Sequence, residues 1–356
     1  MKRKIWLDYA KVLGIYAVIL GHYHNPASFT GRIYAFHMPL FFFLSGYLFS
    51  FKKDQNYTDF IKKLSTKIII PYFFFSIITY IYWLLIVRHF GSDANDHVPF
   101  YTPLIGIFYG LDKGHFMDHD VPLWFLTCLF ITENLFFILF RNIVSPRLKI
   151  LTIAIFALLG YINYSYNPYR LPWNIDVALV AMVFFAAGNY VKEFFSKELF
   201  MNLYLNLFLV GILGVLFYYL SAYDLTVTFS RNKYGNYLYM LLNASIGIAC
   251  FISLCKLLEK IFQRNKLFEF ISVNTLIIFA LQSSVMGFIK AFYHLILKLP
   301  SDFFNNKIGF NALFSIMVII ILLPIIYLMN RYIPFLIGKG KRQTNTVNLA
   351  SEKIAN

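Results

Sequence analysis

Residues 5–22 of the chain read IWLDYAKVLGIYAVILGH. This apolar run is close to the ~20 residues needed to cross the hydrocarbon core of a bilayer, although it contains Asp8, Lys11 and His22. Similar runs recur along all 356 residues, of which 59% are hydrophobic and 14% charged, whereas about a quarter of the residues of a soluble domain are charged. The sequence therefore predicts an all-α, polytopic helical bundle in a membrane.

The apolar runs predict ten transmembrane helices. They lie at approximately residues 5–24, 32–51, 68–88, 122–140, 150–167, 176–191, 203–222, 237–256, 271–294 and 309–330. We expect a short amphipathic helix at the interface over 56–67 and an acidic outer loop over 89–121. Residues 1–337 are expected to form one transmembrane domain, and 338–356 a polar, disordered cytoplasmic tail.

The net charge of +15 does not indicate nucleic-acid binding, because the basic residues form short clusters between apolar runs. With the N-terminus inside, 22 of the 32 lysines and arginines fall in inside segments. The positive-inside rule therefore predicts that both termini are cytoplasmic. The first apolar run lacks a small-residue cleavage site and is interpreted as a retained span.

Asp8, Lys11 and His22 lie on one face of the first predicted helix. At 100° and 1.5 Å per residue, His22 is rotated by about 20° from Lys11 and lies about 16 Å further along the axis. Ionisable groups inside a span are functional candidates, since inserting one costs at least ~2.5 kcal/mol. Asp8 and Lys11 also have the i,i+3 spacing of an ion pair. The pair is either structural, with Lys11 snorkelling to the interface, or part of a substrate cleft.

A second histidine, His37, lies in the segment FHMPLFFFLSGY at residues 36–47. A tight hairpin between the first two spans would bring His37 close to His22. Imidazole titrates near neutral pH and can take a proton from a hydroxyl. A lone histidine near an interface is usually structural, but the pairing favours a catalytic role.

At these residues the sequence resembles the membrane-bound acyltransferase family 3, and within it the fucose 4-O-acetylase-like branch. The resemblance rests on WLDYAK at residues 6–11, the ten residues that separate Lys11 from His22, and the 36–47 segment. Shorter pieces extend it over nearly the whole chain, namely 71–72, 122–126 with Glu133, 187–188, 235–238 and 274–282. The resemblance implies a polytopic enzyme that moves acyl groups, commonly acetyl from acetyl-CoA, onto hydroxyls of surface glycans. It also implies that His22 is catalytic.

The candidate substrate-binding residues are Asp8, Lys11, Arg32, Trp124 and Glu133. Glu133 lies deep in an apolar run and is expected to pair with Lys11, to hold a substrate hydroxyl, or to be structural. Arg32 and Trp124 lie at the outer ends of spans and could meet a sugar, with interfacial anchoring as the alternative.

Two positions depart from the family pattern. Many members have an Arg-x-x-Arg motif before the third span, where this chain has Lys63 and Lys67. These lysines are candidates for donor-phosphate binding as point charges, without the bidentate fork of arginine; ordinary positive-inside charge is the alternative. Gln282 stands where related sequences often have histidine, so no chemistry is assigned to it.

No metal site and no bound cofactor are expected. The segment from His115 to Asp120 has two histidines with i,i+4 spacing but no pattern that supplies a fourth ligand. The expected partners are an acyl-CoA donor such as acetyl-CoA, a carbohydrate acceptor and the lipid bilayer, with glycan-assembly proteins or a second copy of the chain as further candidates. The expected location is the bacterial plasma (inner) membrane.

The leading hypothesis is acyl transfer from acyl-CoA to a carbohydrate hydroxyl. His22 would act as general base, His37 would orient it or the acceptor, and Lys11 with Asp8 would order the donor side. Because CoA is cytoplasmic and His22 lies towards the outer leaflet, donor and acceptor are expected to enter from opposite faces, by direct transfer or through an acyl-His22 relay. The alternative is a transporter, flippase or export subunit for polysaccharide or lipid-linked glycan, although no internal repeat typical of many transporters is found.

Overall fold

The computed structural model describes residues 3–52, 55–89, 97–192, 202–300 and 302–340. This part of the chain is helical, with an isolated β-bridge between Thr228 and Lys233. The α-helices are α1 (Ile5–Gly21), α2 (Ala27–Leu48), α3 (Tyr57–Leu64), α4 (Ile70–Leu85), α5 (Tyr101–Tyr109), α6 (Trp124–Phe140), α7 (Pro146–Tyr166), α8 (Ile175–Tyr190), α9 (Leu203–Leu220), α10 (Tyr237–Phe262), α11 (Lys266–Ser272), α12 (Thr275–Leu295) and α13 (Ile308–Tyr332).

Eight helical segments in the described ranges are long and apolar enough to cross a membrane. They correspond to the third to tenth predicted spans, so the predicted all-α bundle is confirmed. The other two predicted spans are α1, which has only 17 residues, and α2, which begins with the polar turn ASFTGR. Both are nevertheless central to the bundle.

The central position of α1 explains how a span with ionisable residues is accommodated. Twelve of its 17 residues are buried, and it packs against α2, α10, α11, α12 and α13. By contrast, α9 has a single buried residue, Asn206, and exposes a broad apolar surface. The charged helix is thereby shielded from lipid by apolar helices, as the cost of ionisable groups in hydrocarbon requires.

Two glycines allow α2 and α8 to cross with their backbones in contact. A Cβ atom added at Gly46 would lie 1.8 Å from the carbonyl oxygen of Phe185. A Cβ atom added at Gly188 would lie 2.1 Å from the carbonyl oxygen of Phe43. Small residues at such crossings are typical of membrane helix packing. The crossing fixes the second half of α2, which lines the site described below.

The structure differs from the prediction at three places. The helix expected over 56–67 begins at Tyr57 but does not end there, because a π-helical turn at Ser65–Ile69 joins α3 directly to α4. The span predicted from residue 271 is interrupted, so that α11 ends at Ser272 and α12 begins at Thr275. The predicted loop 89–121 contains helix α5.

Both described ends of the chain lie at the same end of the bundle. Arg3 donates to the carbonyl oxygen of Glu269 in α11 at 3.3 Å, and Lys339 donates to Asn274 at the start of α12. This agrees with an even number of spans; the cytoplasmic assignment of this end remains a prediction. Of the predicted tail, 338–340 packs on the bundle, and 341–356 lies outside the described residues.

Candidate functional site

The hairpin of α1 and α2 brings the two predicted histidines together. His22 directly follows α1, and His37 lies in the middle of α2. Tyr34 connects the two helices: its hydroxyl donates to the carbonyl oxygen of Gly21 at 3.2 Å, and its ring centroid lies 5.0 Å from that of His37. The two imidazoles are within electrostatic range of each other, as the hairpin argument expected.

Both imidazoles are held by the backbone of their own helix. Nδ1 of His22 donates to the carbonyl oxygen of Val18 at 2.7 Å, and Nδ1 of His37 donates to that of Ile33 at 2.8 Å. Since a carbonyl oxygen only accepts, this bond assigns the proton to Nδ1 and leaves Nε2 of the neutral ring as an acceptor. No described residue hydrogen-bonds to either Nε2 atom. Each ring can therefore receive a proton at Nε2.

A cavity of about 240 Å³ lies between α1, α2, the π-helical turn, α6 and α12. Three charged side chains line it: Lys11, Lys67 and Glu133. Most of its other lining residues are apolar, with Ser45 and Thr275 as the hydroxyl-bearing exceptions. The cavity therefore combines an apolar interior with a small number of polar groups, which is typical of small-molecule sites.

The charges in the cavity are only loosely paired. Lys67 Nζ lies 3.9 Å from Glu133 Oε1, and the Lys67 side chain is 62% exposed. Lys11 makes no ion pair within 4.0 Å with a described carboxylate. The predicted alternative in which Glu133 pairs with Lys11 is therefore not found, although both residues line the same cavity. The two lysines leave the site with a net positive charge, which favours an anionic ligand.

The cavity and the histidines occupy successive levels of the same helix faces. On α1 the face runs from Lys11 and Ile15 to His22, about 10 Å beyond Ile15 at 1.5 Å per residue. On α2 it runs from Ser45 and Phe41 to His37, about 6 Å beyond Phe41. A ligand in the cavity therefore has to extend by about 6–10 Å, which corresponds to one to two helical turns, to reach the histidines.

Three aromatic rings lie between the cavity and the histidines. Phe41, Phe125 and Phe279 are the cavity-lining residues nearest to the histidine end on α2, α6 and α12. The ring centroids of Phe41 and Phe125 are 6.1 Å apart, and those of Phe125 and Phe279 are 5.5 Å apart. The three rings therefore form the end of the cavity that faces the histidines.

The predicted pairing of Asp8 with Lys11 is wrong. Asp8 instead forms a bidentate pair with Arg3, with Nε–Oδ2 and Nη2–Oδ1 distances of 2.8 Å, and accepts a hydrogen bond from the Ser272 hydroxyl at 2.6 Å. The planar guanidinium matches a carboxylate better than an ammonium group does, and Lys11 is directed to the cavity. Asp8 therefore anchors the start of α1 to α11.

We expect Asp8→Asn to destabilise the protein by about 1–3 kcal/mol, because the amide is uncharged and leaves only one oxygen to accept from Arg3 and Ser272. The expected result is a lower thermal unfolding temperature in detergent. Arg3→Ala is the matched variant, since it removes the other half of the same pair. Unchanged unfolding temperatures of both variants would contradict this anchoring role.

Three other predicted residues do not line the cavity. Arg32 is on the opposite side of α2 from His37, where its guanidinium lies 4.3 Å from the Tyr218 ring centroid. Trp124 is only 4% exposed and packs beside Phe42 and Phe125 in the core. Lys63 is exposed and lies one turn before Lys67 on the same helical segment.

The C-terminal segment supports Lys67 in a way that sequence reasoning missed. Gly338 has a left-handed φ of +75°, and a Cβ atom there would lie 2.7 Å from the carbonyl oxygen of Lys67. Next to it, Lys339 Nζ donates to the side-chain oxygens of Asn274 and Asn330, both at 2.6 Å. Lys67 itself lies in the π-helical turn, a feature frequent at functional sites. Gly338 and Lys339 can be read from the sequence, but the distant residues that they contact cannot.

The histidines of the 115–120 segment do not converge on a common point. His115 Nδ1 donates to Asp118 Oδ2 at 2.7 Å at the surface, whereas His119 is buried and packs 6.5 Å from the Tyr80 ring. Within the described ranges no three His, Cys, Asp or Glu side chains are grouped as metal ligands.

Comparison with known proteins gives one match. The sequence model of a family described as an acyltransferase domain, acyltransferase 3, matches residues 4–331. No protein with curated annotation and no solved structure matches the chain. The matched range includes α1 to α13 except the last residue of α13, and therefore the cavity and both histidines.

Proposed function

Because the chain belongs to the acyltransferase 3 family and is a multi-pass membrane acyltransferase, we propose that it moves an acyl group, most simply acetyl, from acyl-CoA to a hydroxyl of a surface or exported carbohydrate. We place it in the bacterial plasma membrane. The fucose 4-O-acetylase-like branch is part of the same proposal, and it rests on the sequence motifs alone.

The observation that carries this proposal is the pair of Nε2 acceptors one to two turns beyond a positively charged cavity. His22 is the general base in this proposal, because it is half-buried at the end of α1 and can meet an acceptor from the loop side. His37 is 5% exposed, which suits a residue that orients the acceptor or the first histidine. General-base catalysis by a placed imidazole contributes typically 10²–10⁴-fold.

On the donor side, we assign the cavity to the thioester arm of acyl-CoA. Its phosphates would lie near Lys67 and Lys63, at the exposed edge where Lys67 is 62% accessible. Lys11, Ser45 and Thr275 supply polar contacts along the cavity, and the apolar lining suits the alkyl parts of the arm. Asp8 contributes to donor binding indirectly in this proposal, because it holds α1 in place.

In this proposal the acyl group moves directly from donor to acceptor. Nε2 of His22 takes the proton of the acceptor hydroxyl, and the hydroxyl oxygen attacks the thioester carbonyl carbon to form a tetrahedral intermediate. The intermediate collapses with loss of the CoA thiolate, which takes the proton from the imidazolium. The products are an O-acyl sugar and CoA.

The function is tested by mass spectrometry of surface glycans from cells with and without the gene. The expected result is the added mass of one acyl group per modified sugar only when the gene is present. If the glycan is unmodified but its export or flipping depends on the gene, the transport alternative is correct instead.

We expect Lys67→Met to raise the KM for acyl-CoA by roughly 3- to 10-fold, because one exposed charge contact to a phosphate is lost. The KM for the acceptor should not change, since Lys67 lies at the donor end. Lys62→Met is the matched control: Lys62 is an exposed lysine of the same helical segment and does not line the cavity. Equal effects of the two substitutions would argue against phosphate binding at Lys67.

A further inference from the structure

Helix α12 extends the cavity face to the level of the histidines. Leu276 and Phe279 line the cavity, and Lys290 lies eleven residues after Phe279. Eleven residues correspond to a rotation of about 20° and a rise of about 16 Å. Lys290 therefore lies on the same face of α12, near the outer end of α1.

Lys290 is a half-buried cation without an acidic partner in the described part of the chain. Its Nζ lies 5.8 Å from the centroid of the Tyr23 ring, and it is within electrostatic range of His22 and His24. No described carboxylate lies within 4.0 Å of Lys290. A cation that is partly removed from water is stabilised when an anion pairs with it.

Tyr23 provides a second polar group at the same place. The residue is 2% exposed, and its hydroxyl has no hydrogen-bond partner among the described residues. Buried hydroxyls in proteins are nearly always hydrogen-bonded. The ring that carries this hydroxyl lies 5.8 Å from Lys290 Nζ, so the ammonium group and the unpaired hydroxyl can together recognise an oxygen-rich anion.

The position of Lys290 indicates which substrate carries the anion. The donor occupies the cavity in the proposed function, and its phosphates lie at Lys67, at the opposite end from the histidines. The Lys290 backbone lies about 16 Å beyond the cavity-lining Phe279, and its side chain points back towards the N-terminal end of α12. Lys290 thus approaches His22 from the acceptor side.

We propose that Lys290 binds an anionic group, a carboxylate or a phosphate, of the acceptor glycan close to the hydroxyl that is acylated. This rests on the proposed function and adds a substrate class to it: acidic glycans are accepted in preference to neutral ones. Tyr23 supplies a second hydrogen bond to the same group.

The proposal is tested with glycans isolated from cells that lack the gene. Membranes containing the full-length protein transfer radiolabelled acetyl from acetyl-CoA to this glycan fraction, and mass spectrometry identifies the labelled repeating unit. We expect an acidic unit, and Lys290→Met should raise the acceptor KM about tenfold or more, with the KM for acetyl-CoA unchanged. Lys290→Arg should retain most of the transfer. Lys307→Met, an exposed lysine at the same end of the bundle, should have no effect.

Chemical reduction of glycan carboxylates to alcohols separates the two sources of the anion. Loss of acceptor activity after reduction identifies a carboxylate, and retained activity identifies a phosphate if the labelled unit contains one. The proposal would be overturned if the acetylated repeating unit is neutral. It would also be overturned if Lys290→Met has the same acceptor KM as the unaltered protein. The absence of any acetyl transfer by the unaltered protein would instead count against the proposed function.

Discussion

His22→Ala should lower the rate of acyl transfer by about 10²–10⁴-fold, the usual contribution of a placed general base. The substitution removes the Nε2 acceptor but leaves the cavity lining intact, because His22 lies about 10 Å beyond Ile15. The KM for acyl-CoA should therefore remain close to that of the unaltered protein. The measurement is transfer of radiolabelled acetyl from acetyl-CoA to isolated glycan in membranes with equal amounts of folded protein.

His115→Ala is the control for this experiment, since His115 pairs with Asp118 at the surface. It should transfer acetyl at the normal rate. If His22→Ala also transfers acetyl normally, the catalytic assignment of His22 is wrong. A large loss in His37→Ala with no loss in His22→Ala would move the general base to the other histidine.

Gly46→Ala should prevent correct assembly of the bundle, at a cost of about 4 kcal/mol or more. The added methyl group would lie 1.8 Å from the carbonyl oxygen of Phe185, and a backbone atom cannot move aside as a flexible side chain can. We expect little folded protein, measured as monodisperse material after detergent extraction. Gly188→Ala should have a similar effect, because it faces the carbonyl oxygen of Phe43 at 2.1 Å.

Gly211→Ala is the matched control in α9, where an added Cβ atom meets nothing within 4 Å. Alanine is favoured over glycine inside a helix by roughly 0.5–1 kcal/mol, so this variant should be as stable as the unaltered protein or slightly more so. If Gly46→Ala assembles as well as Gly211→Ala, the two helices do not cross at the glycines.

Hydropathy was sufficient to predict most of the helices, because lipid requires each span to bury its own backbone hydrogen bonds. It could not predict α5, which is a nine-residue helix within a polar loop, nor the break between α11 and α12. The π-helical turn at Ser65–Ile69 has no hydropathy signal either, since the sequence on both sides is compatible with an ordinary helix.

For the site, the predicted hairpin correctly brought His37 near His22, and the shared face of Lys11 and His22 stays a prediction from helical spacing. Spacing failed for Asp8, because an i,i+3 partner on the same helix was considered and the guanidinium of Arg3 was not. Ser272 and Gly338 are far away in the sequence from the residues that they contact, so local patterns cannot identify them. The role of Arg32 stays a prediction, since its contact with the Tyr218 ring tests neither sugar binding nor interfacial anchoring.

The contact between Gly338 and Lys67 also has a consequence for how the enzyme matures. Translation reaches Gly338 about 270 residues after Lys67. A chain that is still being synthesised therefore contains Lys67 before it contains the segment that contacts it. In such a chain, Lys67 at the exposed edge of the cavity lacks its contact with Gly338. The exposed edge of the cavity at Lys67 is thereby completed late in biogenesis, after α13 has been synthesised.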